Sequence, residues 1–188
     1  MTRWKGKKNL PRLGREGWLA FQNQHRGEFF TVPLDGEYGF GRYLGSITFA
    51  FYDLKSPKIL PLEEIERQPV LFVIGSGIDA MFSGHWKVIG QKPLPPELQA
   101  PIKFFHHPRG TDYVGIYLDG EFYPYAGEDL TKMESVNSCD HPLVEERLRS
   151  HFAGRPDLNA QRYSVPRELA ERLRREYFER QAASGEKK

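Results

Sequence analysis

Few residues of this 188-residue chain have the type and spacing needed for catalysis or cofactor binding. Gly75-Ser-Gly-Ile-Asp-Ala80 follows an apolar run and fits the G-x-G-x-x-A pattern of dinucleotide-binding proteins. That pattern works only where a crossover helix begins and its N-terminus holds the pyrophosphate. Only a few residues separate the motif from the next strand signal, at Trp86, so there is no room for such a helix. The sequence therefore predicts no dinucleotide site here.

Histidine and cysteine show no spacing typical of a metal or nucleophile site. His106 and His107 are adjacent, and neighbouring side chains of a strand point to opposite faces, so one ion cannot readily bind both. The single cysteine, Cys139, lies near His141 in a polar segment without a recognisable nucleophile–base pattern. No His-x-x-x-His or Glu-x-x-His pair completes a metal site. We therefore expect a protein that is not an enzyme and has no catalytic residue, metal or cofactor.

The charges are unevenly distributed, although 27 Lys and Arg nearly balance 25 Asp and Glu. Residues 1–26 carry seven basic side chains and one acid, whereas residues 27–165 carry 13 basic and 19 acidic ones. Residues 1–26 are thus basic, and residues 27–165 form an acidic body. This distribution of charge affects which partners the protein binds and how fast it associates with them. The mean hydropathy is -0.61, and no apolar run approaches the roughly 20 residues that span a bilayer. With no secretory signal at the N-terminus, we expect a cytoplasmic protein with no membrane contact.

The chain is expected to form one mainly β domain with appendages. We predict a basic flexible arm at residues 1–26, a mainly β domain at 27–160, and a C-terminal helix with a disordered tail at 161–188, packed on the same domain. Asp-Gly pairs at 35–36 and 119–120 each separate two aromatic or β-branched runs, which is the strongest short signal for a hairpin. The continuous apolar run 70–74 indicates a strand buried on both faces.

Strand signals follow one another at short intervals, with helices at the end of the chain. The strands are predicted at 27–34, 37–44, 46–53, 70–74, 85–90, 102–106, 113–118 and 121–125, and the helices at 61–67, 141–152 and from 164 to about 183. The fold class predicted is α+β and mainly antiparallel β. It would be a curled sheet or small open barrel of meanders and hairpins, with two C-terminal helices packed on it.

Aromatic and charged side chains near strand ends are the candidates for a partner-binding surface. Glycines alternate with aromatics through Tyr38-Gly-Phe-Gly-Arg-Tyr43, a pattern that suits a curled sheet. The candidate residues are Asp35, Glu37, Tyr38, Arg42, Tyr52, Asp53, Trp86 and Lys87. The alternative for each is that the rings fill the core and the polar groups lie wherever the pleat exposes them.

Several strings between residues 27 and 125 resemble one family. They are Val32-Pro-Leu34, Gly36-Glu-Tyr-Gly-Phe-Gly-Arg42, Ala50-Phe-Tyr-Asp53 and Trp86-Lys-Val-Ile-Gly90. In this order they are similar to the immunity protein twenty-six family of bacterial polymorphic toxin systems. The resemblance implies a mainly β protein in the producer's cytoplasm that neutralises a cognate toxin domain by direct binding, without catalysis. An acidic body suits a toxin with a basic nucleic-acid groove, such as a nuclease.

Two other functions fit parts of the sequence. An SH3-like or Tudor-like module could bind nucleic acid or a ribosomal surface through its basic N-terminal arm. The residues of that arm are Arg3, Lys5, Lys7, Lys8, Arg12 and Arg15. The acidic body disfavours this function, because it would repel phosphate everywhere except at the arm. An uncharacterised enzyme or ligand-binding β-protein is the third alternative, and no motif supports it.

Overall fold

The computed structural model describes residues 15–76, 79–108, 113–136, 140–159 and 164–185. The strands are β1 (Glu28–Leu34), β2 (Glu37–Gly45), β3 (Thr48–Ser56), β4 (Val70–Gly75), β5 (Lys87–Gln91), β6 (Phe104–His106), β7 (Gly115–Leu118) and β8 (Glu121–Pro124). The helices are α1 (Arg15–His25), α2 (Leu62–Glu66), α3 (Asp79–Phe82), α4 (Pro96–Gln99), α5 (His141–Phe152) and α6 (Arg167–Gly185). A 3-10 turn covers Leu130–Lys132. No helix among the described residues is long and apolar enough to cross a membrane.

The strands form two antiparallel sheets that do not close into a barrel. The larger sheet has the order β4-β3-β2-β1-β5 and the smaller one the order β6-β7-β8. Both predicted Asp-Gly hairpins are present, with positive φ at Asp35 (53°), Gly36 (93°), Asp119 (49°) and Gly120 (92°). These angles fit the type I′ turns that match the twist of antiparallel strands. The α+β, mainly antiparallel fold class is confirmed, as two open sheets with C-terminal helices.

One face of the larger sheet packs against α5 and an aromatic cluster. The rings of Phe30 and Trp86 are stacked, with centroids 5.2 Å apart, and the rings of Phe49 and Phe51 meet Trp86 edge-on. Val144 and Leu148 of α5 belong to the same cluster, and their side chains are fully buried. Burying aromatic and aliphatic side chains on this scale provides the main stabilisation of the sheet.

The opposite face of the larger sheet packs against α2. Phe29, Phe40 and Tyr52 are buried there together with Ile65 of α2. Side chains alternate along β3, because Phe49 and Phe51 contribute to the first face and Tyr52 to the second. A β-strand places successive side chains on opposite faces, so one strand serves both layers of the core.

The smaller sheet is joined to the larger one by a separate cluster and by a hydroxyl pair. Phe104, Tyr117 and Val136 are buried against Ile47, between β2 and β3, and against Val73 of β4. The hydroxyl groups of Tyr117 and Ser46 lie 2.7 Å apart and form a hydrogen bond. On the other side, α6 covers the smaller sheet through a cluster that includes Phe105, Ile116, Leu130 and Ala170.

Two local features were not predicted. The run 70–74 forms β4, which is an edge strand of the larger sheet, and Val70 at its start is exposed. Beyond Val70 the predicted burial on both faces is present, because Phe72 and Ile74 belong to the aromatic cluster and Val73 packs against other clusters. The arm predicted for residues 1–26 is helical from Arg15 to His25, and residues 1–14 lie outside the described residues.

Candidate protein-binding surface

A network of polar side chains surrounds α5, and we call it the α5 face. It consists of His85, Asp35, Glu37, Asp53, Lys55, His141, Glu145, Glu146, Arg149, His151 and Arg155. These residues come from the β1–β2 turn, from β2 and β3, from the segment before β5 and from α5 with the residue just beyond it. The sheet and one helix thus present a single polar surface.

Helix α5 begins and ends where its sequence predicts. Asp140 occupies the N-cap position, although its side chain makes no capping hydrogen bond, and Pro142 lies in the first turn. Val144 and Leu148 fix the buried side of the helix against the sheet. Gly154 follows the helix with a φ of 63°, and its N–H donates to the carbonyl of His151. This packing leaves the polar side of α5 at the surface.

Ion pairs tie the C-terminal half of α5 to the sheet. The Arg149 Nε lies 3.2 Å from the Asp35 Oδ2 at the hairpin turn, and the His151 Nε2 lies 2.7 Å from the Asp53 Oδ1 of β3. Asp35 and Arg149 line a shallow depression with Glu37 and Lys55, which themselves pair at 2.6 Å. The carboxylates of this region remain accessible, since the Asp35 side chain is 79% exposed.

A second cluster lies at the N-terminal half of α5. The His85 Nε2 and the Glu145 Oε1 are 2.6 Å apart, and the Trp86 Nε1 donates to the same oxygen at 3.3 Å. The His141 ring lies 4.6 Å from the His85 ring. Burial and the neighbouring His85 lower the pKa of His141. Within the described ranges, His85, His141 and Glu145 are the group with potential metal-ligand atoms close together, all within 4.8 Å.

Among its Asp, Glu, Lys and Arg side chains, the α5 face has more acidic than basic ones. Its carboxylates are Asp35, Glu37, Asp53, Glu145 and Glu146, and its permanent cations are Lys55, Arg149 and Arg155. A patch of this kind attracts a basic partner and orients it during encounter.

The structure brings some of the predicted partner-binding residues together at the surface. Asp35, Glu37 and Asp53 belong to the α5 face, where the two aspartates are exposed. Lys87 is exposed at the start of β5, two residues after His85. Tyr38 is half-buried against the cluster on the opposite side of the sheet.

Three predicted partner-binding residues are buried, which corrects the expectation that they lie at the surface. Arg42 and Trp86 have no exposed area, and Tyr52 is 2% exposed. Trp86 stacks in the core, and the Arg42 guanidinium is held by Glu66 and by the carbonyls of Lys92 and Pro93. The alternative interpretation, that the rings fill the core, therefore applies to Trp86 and Tyr52. A docked protein does not reach any of these three side chains.

Residues that the sequence interpretation missed carry much of the α5 face. His85, His141, Glu145, Arg149 and His151 were not among the candidates. The one available signal was the spacing of His141 and Glu145, since side chains four residues apart share a face of a helix. His85 comes from a distant segment, and no local pattern connects it to α5.

The described residues of the other chemical motifs have the following surroundings. Gly75 ends β4 and is followed by α3, which has four residues, so the crossover helix of a dinucleotide fold is missing there. The His106 ring packs on the Phe122 ring at 4.8 Å. Cys139 and the basic residues of the predicted arm before Arg15 lie outside the described residues.

Residues 25–113 match the family model described as Immunity protein 26, which confirms the resemblance found in the sequence. The matched segment runs from the last residue of α1 through the whole five-stranded sheet to the connection after β6. No curated protein and no solved structure matches the chain. The match includes Asp35, Glu37, Asp53 and His85, whereas α5 lies outside it. An immunity function is therefore supported for the part of the chain that builds the larger sheet.

Proposed function

We propose that this protein is an immunity protein that binds a cognate bacterial toxin domain and neutralises it stoichiometrically, without catalysis. The observation that carries the proposal is the match of residues 25–113 to the Immunity protein 26 family. We further propose that it acts in the cytoplasm of the toxin-producing cell, as part of a polymorphic toxin system. There the toxin domain would otherwise attack its own producer.

The α5 face is our proposed contact surface for the toxin. Its exposed carboxylates, including Asp35, Glu37 and Asp53, suit a toxin whose active-site groove is basic. Such a groove is expected in a nuclease, because its own substrate is an anionic phosphate backbone. Occupying that groove would exclude the nucleic acid by competition.

Rigid presentation of the charges supports the same surface. Arg149 contacts Asp35 at the hairpin turn and His151 contacts Asp53 of β3, so the helix is linked to the sheet region at two points. Charged groups held in place before binding lose less conformational entropy in a complex than free side chains do. Lys87 and the exposed part of Tyr38 are proposed as contacts at the margin of the complex.

The direct test is rescue from the toxin encoded beside this gene. The isolated toxin domain is expressed in a bacterial host with or without the full-length protein, and growth is compared. We expect growth only with the protein, and a one-to-one complex on size-exclusion chromatography. Failure of rescue together with no complex would overturn the proposal.

The nucleic-acid alternative predicts a different result in a binding experiment. The full chain and a variant lacking residues 1–14 are titrated with RNA and DNA at several salt concentrations. Under our proposal neither binds appreciably near physiological salt. Tight binding with a steep salt slope that disappears in the shortened variant would favour the alternative.

A further inference from the structure

We propose that His85, His141 and Glu145 form a site for a transition-metal cation, with Zn²⁺ as the best-fitting ion. The site lies at the N-terminal half of α5, and it goes beyond the immunity function, because metal binding is measurable without any toxin. One ligand comes from the segment before β5 and two from α5. A bound ion would therefore fasten the helix to the sheet.

The ligand types are those that Zn²⁺ uses in proteins. Two imidazole nitrogens and one carboxylate oxygen form a common donor set for this ion, with a fourth position left to water or another ligand. Ligand atoms about 2.0–2.1 Å from a tetrahedral ion lie about 3.3 Å from one another. The three donor atoms here all lie within 4.8 Å, so modest side-chain rotations bring them to that geometry.

A bound ion would replace the proton that His85 and Glu145 share in their hydrogen bond. The His85 Nε2 and the Glu145 Oε1 are 2.6 Å apart and share a hydrogen bond. A cation between them takes the place of the proton in this contact and moves the two atoms slightly apart. Metal binding to histidine regularly competes with protons in this way.

Surrounding groups orient the ligands. The Trp86 Nε1–H donates to the Glu145 Oε1, and the Arg149 Nη2 donates to the Glu145 Oε2 at 3.3 Å. Such contacts fix the carboxylate of a metal site, and the buried position of Glu145 limits its other conformations. The arginine contacts Oε2, whereas Oε1 is the oxygen that contacts His85 and Trp86.

The site is also accessible to an ion. The side chain of His85 is 42% exposed, and His141 is half-buried. The exposed side leaves room for a water molecule at the fourth position.

The competing interpretation is a purely structural hydrogen-bond cluster. Under that interpretation His85 and Glu145 are an ion pair that helps to hold α5 on the sheet, and no metal binds. Both interpretations predict that substituting a residue of the cluster lowers the stability of the fold. The experiment must therefore measure metal binding directly.

The test measures Zn²⁺ binding to the full chain by isothermal titration calorimetry, with Co²⁺ absorption as a geometric readout. The variants are His141→Ala, His85→Ala/His141→Ala and Glu145→Gln. The matched control is His151→Ala, which removes an α5 histidine that pairs with Asp53 outside the cluster. Circular dichroism without metal establishes that each variant is folded. If one of the variants is unfolded, the single variant His85→Ala is measured in its place.

We expect one Zn²⁺ per chain and tetrahedral Co²⁺ bands for the unchanged protein. His141→Ala should weaken binding at least about tenfold, the double variant should abolish it, and His151→Ala should bind within about twofold of the unchanged protein. Zn²⁺ should raise the Tm of the unchanged protein and of the control, but not that of the double variant.

Either of two results would overturn the metal site. One is the absence of Zn²⁺ binding to the unchanged protein, and the other is undiminished binding to the folded double variant. Both leave the toxin-rescue experiment unaffected, so the two proposals fail separately.

Discussion

The Arg42 Nη1 donates a 2.8 Å hydrogen bond to the Glu66 Oε1 and thereby joins the central strand β2 to α2. The Nη2 of the same guanidinium donates to the carbonyls of Lys92 and Pro93, and the Cζ lies over the Phe29 ring, 4.3 Å from its centroid. Arg42 therefore fastens three segments on one face of the sheet. Its role is structural, because no part of it reaches the surface.

Removing the Arg42 charge should destabilise the fold strongly. Arg42→Met leaves the carbonyls of Lys92 and Pro93 without the donor from this buried side chain and removes one cation from Glu66, at an expected cost of about 3 kcal/mol. The free energy of unfolding in urea measures it. The control is Lys55→Met, which breaks an exposed pair with Glu37 and should cost less than about 1 kcal/mol. Equal losses would contradict the structural role of Arg42.

Stability should depend on pH through Glu66. Hydrogen bonds from Lys92 and Arg42 lower the pKa of this carboxyl below its ordinary value of 4.5, against the opposing effect of burial. A lowered folded-state pKa means that the unfolded chain takes up the proton first. The stabilisation is therefore complete above pH 4.5 and is lost as the pH falls through the folded-state pKa.

Glu66→Gln tests this dependence. The variant should be less stable at pH 7 and should lose less stability than the unchanged protein between about pH 5 and pH 3, measured by urea unfolding across that range. Glu64→Gln, at an exposed position of the same helix, is the matched control and should keep the original slope. An identical slope for both variants would exclude this contribution of Glu66.

Gly41 is required by the close approach of an aromatic ring. A Cβ at this position would lie 2.4 Å from the Cζ of Phe30, whose ring is fixed by its stack on Trp86. Gly41→Ala should therefore cost about 2 kcal/mol and lower the Tm. Gly75→Ala in β4 is the control, because the nearest side-chain atom, on Ile47, would be 3.4 Å away. Greater damage at position 75 would contradict the packing described.

Neutralising the hairpin end of the α5 face should slow the association with the toxin. Asp35→Asn keeps a residue that tolerates the positive φ of the turn, and it is combined with Glu37→Gln. We expect an association rate about tenfold lower at low salt, with a difference that shrinks as salt is added. Stopped-flow fluorescence or surface plasmon resonance measures it.

The matched control for that experiment removes the same charge elsewhere. Glu168→Gln combined with Glu179→Gln changes two exposed carboxylates of α6, which lies on the smaller sheet. This variant should associate at nearly the original rate. If it slows association as much as the hairpin variant, the effect comes from net charge and not from the α5 face.

Features that depend on residues close together in the chain could be predicted from the sequence. The two Asp-Gly hairpins form as predicted, because a type I′ turn depends on the φ angles of two adjacent residues. Helix α5 spans 141–152 as predicted, because its apolar spacing and the glycine after it act within a few turns. The resemblance to immunity proteins also came from contiguous strings within single strands.

Only the tertiary structure decided which of these residues are surface and which are core. Arg42 was predicted to bind a partner but is enclosed by α2 and the 92–93 segment, which are distant in sequence. His85 meets Glu145 across 60 positions, so no local pattern could pair them. Conformational preferences depend on near neighbours, whereas burial and side-chain contacts depend on which distant segments pack on a given face. For that reason the sequence determined the strands, the turns and the resemblance to immunity proteins, while the fold determined the α5 face.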